Sequence, residues 1–125
     1  MHILLDTHIY LWHVSDDELL SKEARSLILE AESIHISAAS LWEIAIKVRL
    51  GKLNADLERL VAEMEPSGFV ELPVTSRHAA QVAKLPLLHG DPFDRLLVAQ
   101  AMSEPFYLVT TDSQLPQYSS LVIQV

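Results

Sequence analysis

Short apolar runs alternate along the chain with longer segments in which apolar residues recur at helical spacing, and this pattern predicts the secondary structure. We expect strands at 3–6, 34–37, 70–72, 107–110 and 121–123. We expect helices at 7–13, 21–32, 39–50, 56–65, 75–84 and 92–102. Strands that alternate with helices are typical of βαβ units, so the prediction is an α/β fold with a central, mostly parallel sheet.

The boundaries and the strand composition agree with this assignment. Gly51 directly follows the helix at 39–50 and is a favourable residue for ending it. Thr75 is suited to capping the predicted helix at 75–84. The run Leu108-Val109 is continuously apolar, as expected of a strand whose two faces are both covered by helices.

Four acidic residues occur close to the ends of these apolar runs. Asp6 closes the first strand, and Asp112 follows the strand at 107–110. Glu43 lies in the helix after the second strand, and Asp94 lies early in the helix at 92–102. In an open α/β sheet, strand ends and the following helix N-termini meet at one edge. Carboxylates gathered there repel each other unless a divalent cation neutralises them, so the pattern indicates a metal-dependent site for phosphodiester or phosphoryl-transfer chemistry.

Three of these acids also have a structural interpretation. Asp6 is suited to capping a helix, and Asp112 is suited to a turn. Glu43 lies in an apolar stretch and needs a partner or a cation if it is buried. Lys47, one helical turn further on, is a possible partner. A metal site and these local roles are compatible.

The segment Asp91-Pro92-Phe93-Asp94 contains two acids with different expected roles. Proline prefers the first position of a helix, so Asp91 is expected to be the N-cap. Asp94 then lies in the first turn, near the positive end of the helix, and is expected to be the metal ligand. Arg95 either contacts a phosphate or pairs with these acids.

The histidines do not suggest a zinc site. His8 and His13 are five positions apart and do not share a helix face, and the other four, His89 among them, are scattered. His8 follows Asp6 closely enough to orient a ligand or contact a substrate, although an ordinary surface position is the alternative. Trp12 and Trp42 belong to apolar stripes and are expected in the core.

Composition limits the classes of function. The 125 residues fit one domain spanning 1–125, and half of them are hydrophobic, enough for a core. The chain has no cysteine, so a metal must be held by oxygen or imidazole. It shows no basic leader and no apolar run of membrane-spanning length, so a soluble, cytoplasmic protein is expected. The net charge of −8 argues against nucleic-acid binding unless cations bound by clustered acids reverse the local field.

The chain resembles PIN-domain proteins of the VapC toxin type. The resemblance is carried by Leu-Leu-Asp-Thr-His-Ile-Tyr-Leu-Trp at the start and by Ile-Ser-Ala-Ala-Ser-Leu-Trp-Glu-Ile-Ala-Ile-Lys in the middle. It continues with Asp-Pro-Phe-Asp-Arg-Leu-Leu-Val-Ala-Gln-Ala and Leu-Val-Thr-Thr-Asp near the end. The order, spacing and total length of these pieces match the family over essentially the whole chain.

The resemblance implies a three-layer α/β/α fold and an endoribonuclease that depends on Mg²⁺ or Mn²⁺. It also implies a small antitoxin partner that often binds DNA, and a homodimer. The family's four acidic catalytic and metal-binding positions fall on Asp6, Glu43, Asp94 and Asp112. Many relatives carry asparagine at the position of His8, a difference that bears on substrate contacts. We expect substrate-binding roles for three residues: Arg95, His8 and Lys47.

Two other functions compete with this interpretation. A PIN fold without catalytic activity would serve as a binding or regulatory module, but all four acids are present. A receiver-type phosphoacceptor domain needs paired acids after the first strand and a lysine near the last. Here Thr7-His8 follows Asp6, and the strand at 107–110 has no lysine nearby.

Overall fold

Every strand of the structure, a computed structural model that describes residues 1–125, belongs to one sheet. The strands are β1 (His2–Leu5), β2 (Ser33–Ser37), β3 (Phe69–Leu72), β4 (Tyr107–Thr110) and β5 (Val122–Gln124). Their order is β3-β2-β1-β4-β5, and all four neighbouring pairs are parallel. The predicted mostly parallel sheet is confirmed and is parallel throughout.

Six α-helices connect the strands, as predicted. They are α1 (Thr7–Val14), α2 (Lys22–Glu30), α3 (Ala38–Arg49), α4 (Leu57–Met64), α5 (Ser76–Val82) and α6 (Pro92–Ser103). A short 3-10 helix at Leu115–Gln117 was not predicted, because three residues are too few for a periodic signal. None of the helices has both the length and the apolar character needed to cross a membrane.

The sheet separates two apolar cores, which gives the three layers expected from the family resemblance. Side chains alternate between the faces of a strand, and β1 contributes to both cores. Ile3 and Leu5 face a core that contains Ile9 of α1 and Ile44 of α3. Leu4 faces the opposite core, which is formed largely by α6. Covering both faces of β1 explains why its apolar run is continuous.

The position of β1 determines where a site can form. From β1 the chain proceeds to β2 and β3 on one side, and then returns to place β4 on the other side. The strand order therefore reverses between β1 and β4. In open α/β sheets, the crevice outside the carboxyl ends of the strands at such a reversal is the usual ligand site.

The end of α3 depends on a backbone conformation that favours glycine. Gly51 has φ of +73°, and its amide donates to the carbonyl of Val48 at 3.1 Å. A side chain at Gly51 would meet no neighbouring atom, so any effect of adding one is conformational and not steric crowding. Gly90 is equally uncrowded and lacks a positive φ, which makes it a matched control.

We expect Gly51→Ala to lower the free energy of unfolding by about 1 to 2 kcal/mol, because an alanine in the left-handed region is strained. Gly90→Ala should leave that free energy unchanged or raise it slightly. Urea denaturation of both variants measures the difference. Equal stability of the two variants would contradict the role assigned to Gly51.

Candidate active site

The four predicted acids lie at the carboxyl end of the sheet. Asp6 directly follows β1, and Asp112 lies two residues beyond β4. Glu43 is in α3, which begins immediately after β2, and Asp94 is in the first turn of α6. Asp6, Glu43 and Asp112 are thus positioned by a strand end or by the helix that follows one, whereas Asp94 is positioned by the N-terminus of α6, the helix that leads into β4.

Asp6 is buried and serves as a helix cap. Its Oδ1 accepts a 2.7 Å hydrogen bond from the amide of Thr7, at the start of α1. Its Oδ2 accepts a 2.6 Å hydrogen bond from the hydroxyl of Thr110, the last residue of β4. The Thr110 hydroxyl also accepts a 3.0 Å bond from the amide of Asp112. One hydroxyl therefore fixes the position of Asp6 relative to the loop that carries Asp112.

Glu43 is also buried, with 7% of the residue exposed. Its Oε1 accepts a 2.8 Å hydrogen bond from the Thr7 hydroxyl. Its Oε2 lies 3.1 Å from Nζ of Lys47, as expected for the predicted pair one helical turn apart. Thr7 therefore connects the two carboxylates, since its amide donates to Asp6 and its hydroxyl donates to Glu43.

His89 joins the remaining two acids, which the sequence analysis did not anticipate. Its Nε2 lies 3.0 Å from Asp94 Oδ2 and 3.4 Å from Asp112 Oδ2. Its Nδ1 lies 2.9 Å from Oε1 of Gln114. One candidate ligand atom from each of His89, Asp94 and Asp112 lies within 4.8 Å of the other two, so an imidazole is added to the set of oxygen donors. The expectation that the histidines are scattered away from a site is wrong for His89.

Burial and mutual repulsion make the carboxyl groups harder to ionise. Burial raises the pKa of Asp6, although the hydrogen bond from Thr110 opposes the effect. Burial raises the pKa of Asp94 to about 6, and the negative charge of Asp6 acts in the same direction. The hydrogen bond to Asp94 raises the pKa of His89. The site thus concentrates negative charge that a bound cation would stabilise.

Asp91 has the predicted capping role. Its Oδ1 accepts hydrogen bonds from the amides of Phe93 at 2.8 Å and Asp94 at 3.1 Å. The helix begins at Pro92, so Asp94 lies in its first turn. The side chain of Asp94 makes no capping bond and points to His89 instead.

Arg95 is held by oxygens outside the acid cluster, and its expected contact with a phosphate stays a prediction. Its guanidinium donates to the carbonyl of Pro86 at 2.8 Å and to the hydroxyl of Tyr118 at 3.1 Å. Further donations reach the carbonyls of Val82 and Leu85. The predicted pairing with the neighbouring acids is absent, because these oxygens occupy the guanidinium and hold the segment after α5 against α6.

His8 and Trp42 are exposed beside the acids. His8 lines a cavity of about 250 Å³ together with Thr7, Lys47 and Lys52. Trp42 is 63% exposed, so the expectation of a core position is wrong. Its ring meets Phe93 edge to face, with centroids 5.2 Å apart. The apolar stripe that suggested burial consists of residues next to Trp42, whose own side chain points outward.

The sequence and the fold agree with known proteins. A family model described as PIN domain matches residues 3–121. Ribonuclease VapC22 of Mycobacterium tuberculosis is 30% identical over 115 residues, which cover 90% of this chain and 88% of that protein.

Solved structures give the same result at the level of the fold. VapBC2 from Rickettsia felis, bound to a DNA fragment from its promoter, matches with a TM-score of 0.72 at 17% identity, covering 99% of this chain and 98% of that one. A toxin–antitoxin complex from Klebsiella pneumoniae matches with a TM-score of 0.67 at 18% identity, covering 98% and 96%. The family model and the sequence relative show that the chain belongs to the PIN-domain family and is of the VapC type, and the solved structures agree in fold.

Proposed function

We propose that this protein is an endoribonuclease that depends on Mg²⁺ or Mn²⁺ and acts as the toxin of a toxin–antitoxin pair. The observation that carries the proposal is the arrangement of Asp6, Glu43, Asp94 and Asp112 at one end of the sheet, where hydroxyl and imidazole groups fix their orientation. The related protein named ribonuclease VapC22 supports the choice of RNA as substrate. Such an enzyme would act in the cytoplasm, where its substrate is found.

The donor set fits a hard divalent cation. Carboxylate oxygens dominate the site, and the chain has no thiol to favour a softer metal. Burial raises the pKa values of Asp6 and Asp94, so the ionised carboxylates are unfavourable without a cation and would be stabilised by one. We assign Asp6, Glu43, Asp94 and Asp112 as the residues that would hold it, with His89 beside them.

The mechanism assigns the chain's own residues to binding and orientation. When bound, a divalent ion supplies Lewis-acid chemistry, which makes water a stronger nucleophile at neutral pH and stabilises charge that develops on a phosphate. The hydroxyls of Thr110 and Thr7 fix the carboxylates of Asp6 and Glu43, so little reorganisation is needed during the reaction. Nζ of Lys47 lies 3.1 Å from Glu43 and would be within reach of a phosphate oxygen that enters beside that residue.

A small antitoxin and a second copy of this chain are the proposed partners. Support for the antitoxin comes from the solved relatives, which include VapBC and other toxin–antitoxin complexes. An enzyme that cleaves cellular RNA requires such restraint. The homodimer is proposed from the resemblance to VapC toxins.

A PIN-fold module without catalytic activity is the alternative. In such a module the acids would serve only as caps and turn formers, roles that Asp6 and Asp91 do fill. The buried Glu43 and the grouping of Asp94 with Asp112 are not explained by those roles. We therefore favour the enzyme.

We expect RNA cleavage to stop in the presence of a chelator and to resume with Mg²⁺ or Mn²⁺. Asp94→Asn should lower the single-turnover rate at least about a hundredfold, because it removes a charge directed at the reacting centre. Asp91→Asn is the matched control, since asparagine caps as well as aspartate does and much of the activity should remain. Cleavage by chelator-treated wild-type protein, or an inactive Asp91→Asn beside an active Asp94→Asn, would refute the assignment.

We expect the metal-free protein to lose stability as the pH rises from about 4 to about 6. In that range the folded chain retains a proton on Asp94 that the unfolded chain has released, so folding is favoured at the lower pH. Asp94→Asn should flatten this dependence and stabilise the metal-free protein by about 1 to 2 kcal/mol near pH 7. Chemical denaturation at about pH 4.5 and pH 7 measures both effects.

Asp56→Asn provides the control for this pH experiment. Asp56 caps α4, asparagine preserves that cap, and the charge change is the same as in Asp94→Asn. The Asp56 variant should therefore keep the pH dependence of the wild type. A pH dependence that survives Asp94→Asn unchanged would show that another group is responsible.

We expect expression of this protein alone to slow bacterial growth, and co-expression of the small protein encoded beside it to restore growth. Asp94→Asn should be harmless, because toxicity requires cleavage. Growth rate and cellular RNA integrity are the measurements. Normal growth in the presence of soluble protein that cleaves RNA in vitro would contradict the toxin assignment.

A further inference from the structure

The net charge of −8 poses a problem for an enzyme that acts on RNA. Proteins that hold nucleic acid by its phosphates usually present basic surfaces. Hydrolysis by water does not use the ribose 2′-hydroxyl, so the selection of RNA has to come from contacts outside the acid cluster. Any such contacts must lie where the chain is locally free of negative charge.

The second half of α3 and the turn after it meet this condition. Residues 44–55 contain three cations and no acid: Lys47, Arg49 and Lys52. Lys52 is exposed and lies within 4 Å of no carboxylate. Lys47 and Lys52 line the same cavity of about 250 Å³ as His8 and Thr7, and Thr7 is bonded to the catalytic candidate Glu43. A cationic cleft therefore opens directly beside the acids.

An aromatic pair, the exposed Trp42 and the partly buried Phe93, lies beside the same acids. Trp42 directly precedes Glu43, and Phe93 directly precedes Asp94. The edge-to-face contact between their rings restricts the orientation of Trp42 while leaving the residue 63% exposed. An exposed, oriented indole is a surface on which a nucleobase can stack, and stacking does not require positive charge.

The helix places these two features on different sides of Glu43. At about 100° per residue, Glu43 lies between Trp42 and Lys47 around the axis of α3. A strand of RNA that crosses α3 would therefore meet the aromatic pair, the acids and the cationic cleft in turn.

We propose that single-stranded RNA binds across α3, with one base stacked on Trp42 and a neighbouring phosphate held by Lys47 and Lys52. This inference rests on the proposed ribonuclease function and adds the residues that select the substrate. Two apolar side chains that follow Trp42 are exposed as well, Ile46 of α3 at 36% and Leu50, directly after α3, at 62%. A second copy of the chain is the competing occupant, but two copies meeting here would bring their cations Lys47, Arg49 and Lys52 together. Charge complementarity favours RNA.

The test is the binding of fluorescein-labelled twelve-nucleotide oligoadenylate and oligouridylate to the full chain, measured by anisotropy in Ca²⁺. We expect tighter binding of oligoadenylate, because purines offer the larger stacking surface. Trp42→Ala should weaken that binding about five- to a hundredfold, the range for loss of one stacked base, and should remove the preference for oligoadenylate. Trp42→Phe should restore most of both.

Two further variants separate the parts of the proposal. Lys52→Gln should reduce the slope of log affinity against log salt by about one while keeping the base preference. Leu50→Ala is the matched control, since it removes an exposed apolar side chain directly after the same helix and should leave RNA binding unchanged. In a Trp12→Phe background, oligoadenylate should quench the fluorescence of Trp42, the remaining tryptophan.

Several results would overturn the inference. Unchanged affinity and base preference in Trp42→Ala would do so, even if the wild type cleaves RNA and the proposed function stands. Light scattering that shows both Trp42→Ala and Leu50→Ala turning a dimer into a monomer, with equal loss of RNA binding, would assign this face to a second copy. Conversely, Trp42-dependent binding without cleavage would sustain the inference while refuting the proposed enzyme.

Discussion

Like charge confined to one end of a parallel sheet is the constraint on which the rest of this structure depends. Parallel strands present all their carboxyl ends at the same edge of the sheet, and the four acids lie at that edge. The fold supplies partial compensation from neutral groups: the amide at the start of α1 and the hydroxyl of Thr110 both donate to Asp6. Burial nevertheless raises the pKa of both Asp6 and Asp94, because these donors offset it only in part at Asp6 and the charge of Asp6 adds to it at Asp94. The carboxylates that would hold a cation therefore also destabilise the metal-free fold.

The basic side chains near the acids differ in what holds them in place. Lys47 reaches Glu43, and His89 lies between Asp94 and Asp112. Both side chains lie at the edge of the acid cluster, where a substrate or an ion can compete for the carboxylates. Arg95, whose charge is the most permanent, is instead held by carbonyl oxygens away from the cluster. The side chains at the border of the acid cluster, Lys47 and His89, can therefore be displaced from the carboxylates, whereas the guanidinium of Arg95 is fixed elsewhere.

The sequence was sufficient wherever a local rule determined the structure. Apolar runs and helical spacing predicted the strands and the six helices, and proline at the first helical position identified Asp91 as the cap. The placement of Asp6, Glu43, Asp94 and Asp112 at one sheet edge was predicted from strand ends and helix N-termini. Whether these four residues perform catalysis is a separate question, which the variants address.

Tertiary contacts account for what the sequence did not predict. His89 meets Asp112 across 23 residues of chain, and no periodicity encodes that approach. Arg95 is satisfied by carbonyls of an irregular segment, whose path cannot be deduced from side-chain pattern. Trp42 appeared to be a core residue because its neighbours are apolar, but hydropathy does not show which way a side chain points at the border of a buried stripe.

The hydrogen bond between Thr110 and Asp6 spans 104 positions of sequence, and this separation has a consequence during protein synthesis. The first strand is synthesised well before its neighbour β4 and the loop that carries Asp112. Contacts so distant in sequence form only after the intervening chain has been closed into a loop. A nascent chain in which β4 has not yet been synthesised therefore lacks a complete acid cluster. The four acids can come together only after the chain up to Asp112 has been made.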